Sequence, residues 1–233
     1  MSLLASVFLT RHQQMEISMN DDHKLKTAVL AELAFEPSVS ADHIGVTAEA
    51  GVVTLSGHVE SYWQKSAAER AAGRVKGVRA IAEEIEVRLP GGVRHGDDAI
   101  AAAALERLFW DVSIPKDAVK VRVQEGFVTL TGQVEWHYQH DEAARAIRSL
   151  AGVIGIANQI TVKQRPDTSK IQADIGHALH RSWLSNDHVK VTATNGEVHL
   201  SGTVESWLDR NMATTTAWRA AGTTSVVNDI RVD

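Results

Sequence analysis

The decapeptide GVVTLSGHVE (residues 51–60) returns as GFVTLTGQVE (126–135) and again as GEVHLSGTVE (196–205). Taken at every second position, the first copy gives Val53, Leu55, Gly57 and Val59 on one side and Thr54, Ser56 and His58 on the other. Such alternation marks a half-buried β-strand. The apolar side carries Val128, Leu130, Gly132 and Val134 in the second copy and Val198, Leu200, Gly202 and Val204 in the third. A glycine in register with core residues weakens a strand unless something approaches it closely. The expected visitor at Gly57, Gly132 and Gly202 is a helix crossing the sheet.

The phrase is the centre of a longer repeat. Its glycines, Gly57, Gly132 and Gly202, are each followed at one constant interval by a second glycine, Gly77, Gly152 or Gly222. Three homologous domains are therefore expected, at 21–89, 97–163 and 168–233. They are joined by LPGGVRHGDD (89–98) and KQRPDTSK (163–170), rich in Pro, Gly and charge as short linkers are. Residues 1–20 read as a disordered leader.

Each copy has the same order of elements. Leu25, Val29 and Leu33 are spaced by four and share one helix face, as do Ile100, Ala104 and Leu108, and Ile171, Ile175 and Leu179. A short alternating strand follows, then a turn (EAG, QEG or TNG) whose glycine suits a hairpin. After the decapeptide strand comes a second helix. Ser61 and Gln64 have capping-box spacing, Ser206 and Asp209 form a weaker version, and Trp136 leaves copy two without the device. That helix is expected to end near Gly77, Gly152 or Gly222 in a left-handed cap. A last strand carries Ile81, Ile85 and Val87, or their counterparts Ile156, Ile160 and Val162, and Val226, Ile230 and Val232. A right-handed crossover makes the second and third strands parallel. The fold class is α+β: three tandem α-β-β-α-β units, each a three-stranded mixed sheet with two helices on one face.

With these elements in place, the triplicate G-x-V-x-L-S/T-G-x-V-E motif, the following helix and the later glycine resemble the BON domains of bacterial osmotically inducible and nodulation proteins. The resemblance spans about residues 21–233. Copy three departs most, with His199 in place of the threonine and Thr223 in place of the valine after the second glycine. The resemblance implies a bacterial, non-enzymatic, stress- or transport-associated protein that binds phospholipid or supports the cell envelope. The alternative is a protein-interaction scaffold that binds no lipid.

Bulk properties narrow the choice. The chain of 233 residues has a formal net charge of −5, and none of the three copies is basic. Counterion-driven binding of nucleic acid is not expected. No run of eighteen apolar residues occurs, so no transmembrane helix is expected. Cysteine is absent, which excludes disulfides and thiolate metal sites. The apolar stretch Leu3–Leu9 is short, with no preceding Lys or Arg, a poor secretory signal. The cytoplasm is the expected location, the periplasm the alternative; the oligomeric state is open.

Recurring aromatic residues just after the second strand, Tyr62, Trp63, Trp136, Tyr138 and Trp207, form the candidate surface for an apolar ligand or partner. The competing reading places them between copies, because a unit of about 70 residues has little core of its own. Trp110, Trp183 and Trp218 are expected in cores or inter-repeat contacts. His177 with His180, and His137 with His140 and Asp141, have the spacing of metal ligands but lack an obvious fourth partner, and are read as solvated surface residues. Asn158 and Asn228, on the core side of the last strand, are expected to satisfy backbone groups. Glu83 stands at that place in copy one and is expected nearer solvent. No catalytic, cofactor-binding or metal residue is assigned.

Overall fold

The structure, a computed structural model, describes residues 21–92, 95–163, 170–181 and 189–232. The leader 1–20 and Trp183 lie outside them. The three copies are built alike. The first comprises α1 (21–35), β1 (Ile44–Glu49), β2 (Val52–Val59), α2 (Tyr62–Gly73) and β3 (Ala80–Val87). The second has α3 (Asp97–Trp110), β4 (Val119–Gln124), β5 (Phe127–Val134), α4 (His137–Arg148) and β6 (Gly155–Val162). The third has α5 (Ile171–Arg181), β7 (Val189–Thr194), β8 (Glu197–Val204), α6 (Trp207–Arg219) and β9 (Ser225–Val232). Each copy forms its own sheet, with the decapeptide strand in the middle, antiparallel to the strand before it and parallel to the strand after. The parallel pairing expected from a right-handed crossover is present three times.

The helix faces read from spacing are the buried ones: Leu25, Val29 and Leu33; Ile100, Ala104 and Leu108; Ile171, Ile175 and Leu179. They close over Val53, Leu55 and Val59, or over their counterparts, in three separate cores. Small residues on the second helix, Ala67, Ala68, Ala71 and Ala72 in copy one, are covered and let α2 lie close on the sheet. Non-polar burial on one face and exposed polar residues on the other fix the strand registers, because a one-residue slip would invert every side chain.

The strand glycines differ from expectation in their cause. No helix crosses at them. Gly57 and Gly132 adopt φ of +117° and +142°, and Gly202 +129°. A Cβ at Gly57 would overlap the carbonyl oxygen of His43, and one at Gly132 that of Ala118. These carbonyls belong to the residue just before the first strand of copies one and two. The Ala118 oxygen also accepts from the Gln133 N–H at 3.3 Å. So the close visitor is backbone, and the constraint is twofold: a left-handed φ that L-residues avoid, and no room for a side chain. Gly57 and Gly202 are in fact exposed, which packing by a helix would not allow.

The second helices also end earlier than expected. Gly73, Arg148 and Arg219 close them, and Gly77, Gly152 and Gly222 come afterwards, with φ of +91°, +89° and +96°. Each occupies the third position of a turn closed by Val78 N→Val75 O (3.2 Å), Val153 N→Leu150 O (3.4 Å) or Thr223 N→Ala220 O (3.2 Å). The turn drops the next residue into the core. Where that residue is Thr223, its hydroxyl donates to the Ala217 carbonyl at 3.0 Å, so the substitution leaves no buried hydroxyl unpaired.

The hairpins are held from outside. Ala50, Glu125 and Asn195 take positive φ together with the glycines that follow them. Asp22 on α1 accepts from the N–H groups of Ala50 and Gly51 at 3.1 and 3.4 Å, and Asp97 on α3 accepts from Glu125 and Gly126 at 2.7 and 2.9 Å. A charged acceptor on two strained-turn donors offsets the cost of Ala50 or Glu125 at φ > 0.

A substitution separates these terms. Gly132→Ala is expected to cost about 3 kcal/mol or more in urea denaturation, through strain and overlap with Ala118. Gly45→Ala, whose Cβ would meet the movable Ser56 hydroxyl at 3.0 Å, is expected to cost less than ~1 kcal/mol. Equal losses would remove the backbone explanation.

Candidate functional site

Residues 62, 137 and 207 are equivalent, the first residue of α2, α4 and α6, and 73, 148 and 218 are equivalent near the ends of the same helices. The structure joins these two sets in a circle. Tyr62 packs against the core of the second copy. Burial pushes its phenol up, while the nearby Arg148 charge and a hydrogen bond from the backbone of Ile156 oppose the shift. His137 stacks flat on Trp218, with ring centroids 3.9 Å apart and planes 7° from parallel. Trp207 lies over Gly73, where an added Cβ would stand 2.8 Å from Trp207 Cδ1. Beside it Lys76 and Glu205 form an exposed ion pair at 2.7 Å. Copy one thus leans on copy two, two on three, and three on one. This is a head-to-tail contact that closes after three steps.

The ring divides the candidate aromatic surface. Consecutive helical residues point about 100° apart, so when the first faces a neighbouring copy the second does not. Tyr62 and Trp207 belong to the junctions, and Trp136, at the cap of α4, is half-buried. Trp63 and Tyr138, with their counterpart Leu208, stay exposed. Trp63 carries the Arg70 guanidinium over its ring at 5.6 Å. It borders a cleft of about 630 Å³ between copies one and two, lined also by Pro90, His95, Arg148 and Gly152. Arg148 Nε is buried without a hydrogen-bond partner among the described residues.

Sequence reasoning misses a second surface. Trp110, expected in a core or a junction, is 73% exposed at the end of α3. Phe109 meets it edge-to-face at 5.6 Å and is 58% exposed; Leu105 is half-exposed and Val112 fully exposed. Lys116 holds its ammonium 5.1 Å above the Phe109 ring. The signal is present in LERLFWDV (105–112): Leu108 is committed to the core face, so Phe109 and Trp110 beside it have to point elsewhere. Copy one shows a reduced form, with Leu30 and a strongly exposed Phe35, while the corresponding end of α5 carries His180 and Arg181.

The polar positions on the last strands act as staples. Asn158 donates to the His140 carbonyl at 2.7 Å and accepts from Ile160 N at 3.3 Å. Asn228 donates to the Arg210 carbonyl at 3.1 Å and accepts from Ile230 N at 3.0 Å. Glu83 is not solvated as expected. Its side chain is half-buried, accepts from Ile85 N at 2.7 Å and pairs with Lys65 at 2.8 Å. A carboxylate cannot donate to a helix carbonyl, and a lysine at the place of His140 and Arg210 supplies the missing donor. The caps follow the same logic. Gln64 N donates to Ser61 Oγ at 3.3 Å and Asp209 N to Ser206 Oγ at 3.1 Å. Copy two keeps the return half of the box: Gln139 Oε1 accepts from Glu135 N and Trp136 N, both at 3.0 Å.

Of the histidine groups, His177 and His180 are both exposed on α5, and no interaction joins them among the described residues. His137 and His140 are not solvated. Their rings stack on each other at 4.8 Å, and His137 Nε2 and His140 Nδ1 lie 3.4 and 2.9 Å from one oxygen of Asp141. Burial holds the His137 imidazole below its ordinary range, against the pull of Asp141. Burial alone would raise the Asp141 carboxyl, but the His140 hydrogen bond and the surrounding histidine and Arg145 charges bring it below the usual carboxylate range.

Three copies of a three-stranded mixed sheet under two helices, each centred on a positive-φ strand glycine, define a tandem-repeat class of protein. The BON domain profile matches residues 21–88, 96–164 and 167–233, and the chain belongs to the BON domain family. Osmotically-inducible protein Y of Escherichia coli (strain K12) is 32% identical over 161 residues, covering 65% of this chain and 80% of that protein. Two solved chains of CdsD, a structural protein of the type III secretion system of Chlamydia trachomatis, align at 16% identity. They cover 90% and 89% of this chain and 92% and 96% of theirs, with TM-scores of 0.25 and 0.26, too low to bear on function. No helix among the described residues is long and apolar enough to cross a membrane.

The ring makes a local prediction. Gly73→Leu should expel Trp207 from its seat and shift tryptophan emission to the red, with far-UV circular dichroism unchanged. In a Trp207→Phe background the same substitution should produce no shift; a shift there would assign the change to another tryptophan.

Proposed function

We propose that this BON-domain protein is a non-enzymatic binding scaffold that associates with the phospholipid surface of the cell envelope during osmotic stress. The observation that carries the reading is the exposed end of α3. Leu105, Phe109, Trp110 and Val112 form an apolar patch with Lys116 at its rim. Soluble proteins rarely leave two adjacent aromatic rings uncovered without a use for them. Tryptophan and lysine together suit the boundary between acyl chains and water. Kinship with a protein named for osmotic induction supports the stress context.

The charge balance shapes the mode of contact. With a formal net charge of −5 the chain gains little from an anionic surface, so insertion of apolar side chains has to supply the affinity. Trp63 and Tyr138 of the original candidate surface are exposed enough to take part; Tyr62 and Trp207 are committed to the ring.

Co-sedimentation with zwitterionic vesicles tests the proposal. The chain should bind, and the binding should survive high salt, because screening weakens only the Coulomb part. Burying one large side chain contributes roughly 1.5–3 kcal/mol, so Phe109→Ala with Trp110→Ala should weaken binding by about tenfold or more. Absence of binding to both zwitterionic and anionic vesicles would leave the protein-interaction scaffold as the function. Binding unaffected by the double substitution would remove α3 from the contact.

A further inference from the structure

We infer that His137, His140 and Asp141 form a binding site for one divalent transition-metal ion, with zinc the best match to the donor set. The three residues stand at positions i, i+3 and i+4 in the first turns of α4, so their side chains leave one face of the helix together. Each offers one donor atom, and all three atoms lie within 4.8 Å of one another. Both imidazole nitrogens already converge on the same carboxylate oxygen.

Two of the three donor separations are close to what zinc requires; the imidazole nitrogens, up to 4.8 Å apart, close by about 1.5 Å when the His140 ring turns off its stack on His137. Tetrahedral bonds of ~2.0–2.2 Å place donor atoms about 3.3 Å apart. The His137–Asp141 separation of 3.4 Å meets this, and the 2.9 Å His140–Asp141 contact opens by about 0.4 Å when a metal replaces its hydrogen bond. Two imidazoles and one carboxylate make the donor set of three-ligand zinc sites, which leave a fourth position for water or another ligand. Asp141 is half-exposed, so that position opens to solvent.

The surroundings hold the ligands in place. Trp218 stacks flat on the His137 ring, which fixes its plane. The main chain of His140 is tied to β6 by Asn158. Outer contacts of this kind orient metal ligands. Nothing in the repeat requires the cluster: the equivalent residues are Tyr62, Lys65 and Ser66 in copy one and Trp207, Arg210 and Asn211 in copy three. The site is peculiar to copy two and lies at its junction with copy three, so an ion there would brace the His137–Trp218 stack.

Isothermal titration of the untagged full chain with zinc chloride tests the inference. The expected stoichiometry is one ion per chain. Loss of an outer partner already weakens metal sites by ~10–100-fold, so Asp141→Asn and His140→Gln should each cost at least that much. The double variant His177→Gln/His180→Gln should bind as the unaltered chain does. Copper(II) should quench part of the tryptophan emission, and Trp218→Phe should abolish that part. No measurable zinc binding would overturn the site, as would an affinity untouched by Asp141→Asn and His140→Gln, or one lost with His177 and His180.

Discussion

The first residue of each second helix is seated against the end of the next copy's second helix, and the arrangement of the whole chain depends on that contact. A unit of about 70 residues buries too small a fraction of its surface to be stable by a wide margin. Docking each copy on its neighbour removes further apolar surface from water and ties the three cores together. The paired positions are matched in size. Trp207, the largest inserted ring, faces Gly73; the smaller His137 lies flat on Trp218; Tyr62 sits beside the long, half-buried Arg148. Exchanging partners would leave a void at one junction and overlap at another, so the pairs set the order of copies around the ring.

Inside each copy the controlling constraint is backbone geometry. In copies one and two the strand glycine lets the chain entering the first strand lay a carbonyl against the middle strand, which fixes where the hairpin begins. The later turn glycine returns the chain from helix to last strand. Between them, one polar residue on that strand grips the helix above it. Asn158 and Asn228 grip a carbonyl, and Glu83 grips a lysine. Opposite chemistry therefore serves the same joint, because either pairing satisfies two half-buried polar groups.

Much of this is legible in the sequence. Element order, helix faces and the parallel last strand follow from local periodicity and handedness, and such signals need no knowledge of distant residues. The role of Gly57 is not, because alternation reports which face a residue shares and is silent on its φ. Helix ends read too late for a similar reason: a glycine in a turn after a helix and a glycine capping it look alike in one dimension. Trp110 needs one further test to be placed, since Leu108 and Trp110 cannot both face the core from one helix. The ring is out of reach for a different reason. It depends on how copies sit against one another, and only Tyr62, His137 and Trp207, compared across copies with Gly73, Arg148 and Trp218, show the trace of it.

Function separates along the same lines. Aromatic residues that close the ring are structural, and those at the end of α3 and at Trp63 and Tyr138 remain exposed. The closing contact between copies three and one spans the greatest sequence distance and gives the most direct test of the arrangement. The chain has no cysteine, so nitroxide labels at Lys76→Cys and Glu205→Cys are the only two spins. Electron–electron dipolar spectroscopy should return one narrow distribution at short distance; a broad distribution at long distance would show three copies strung in a line and contradict the ring.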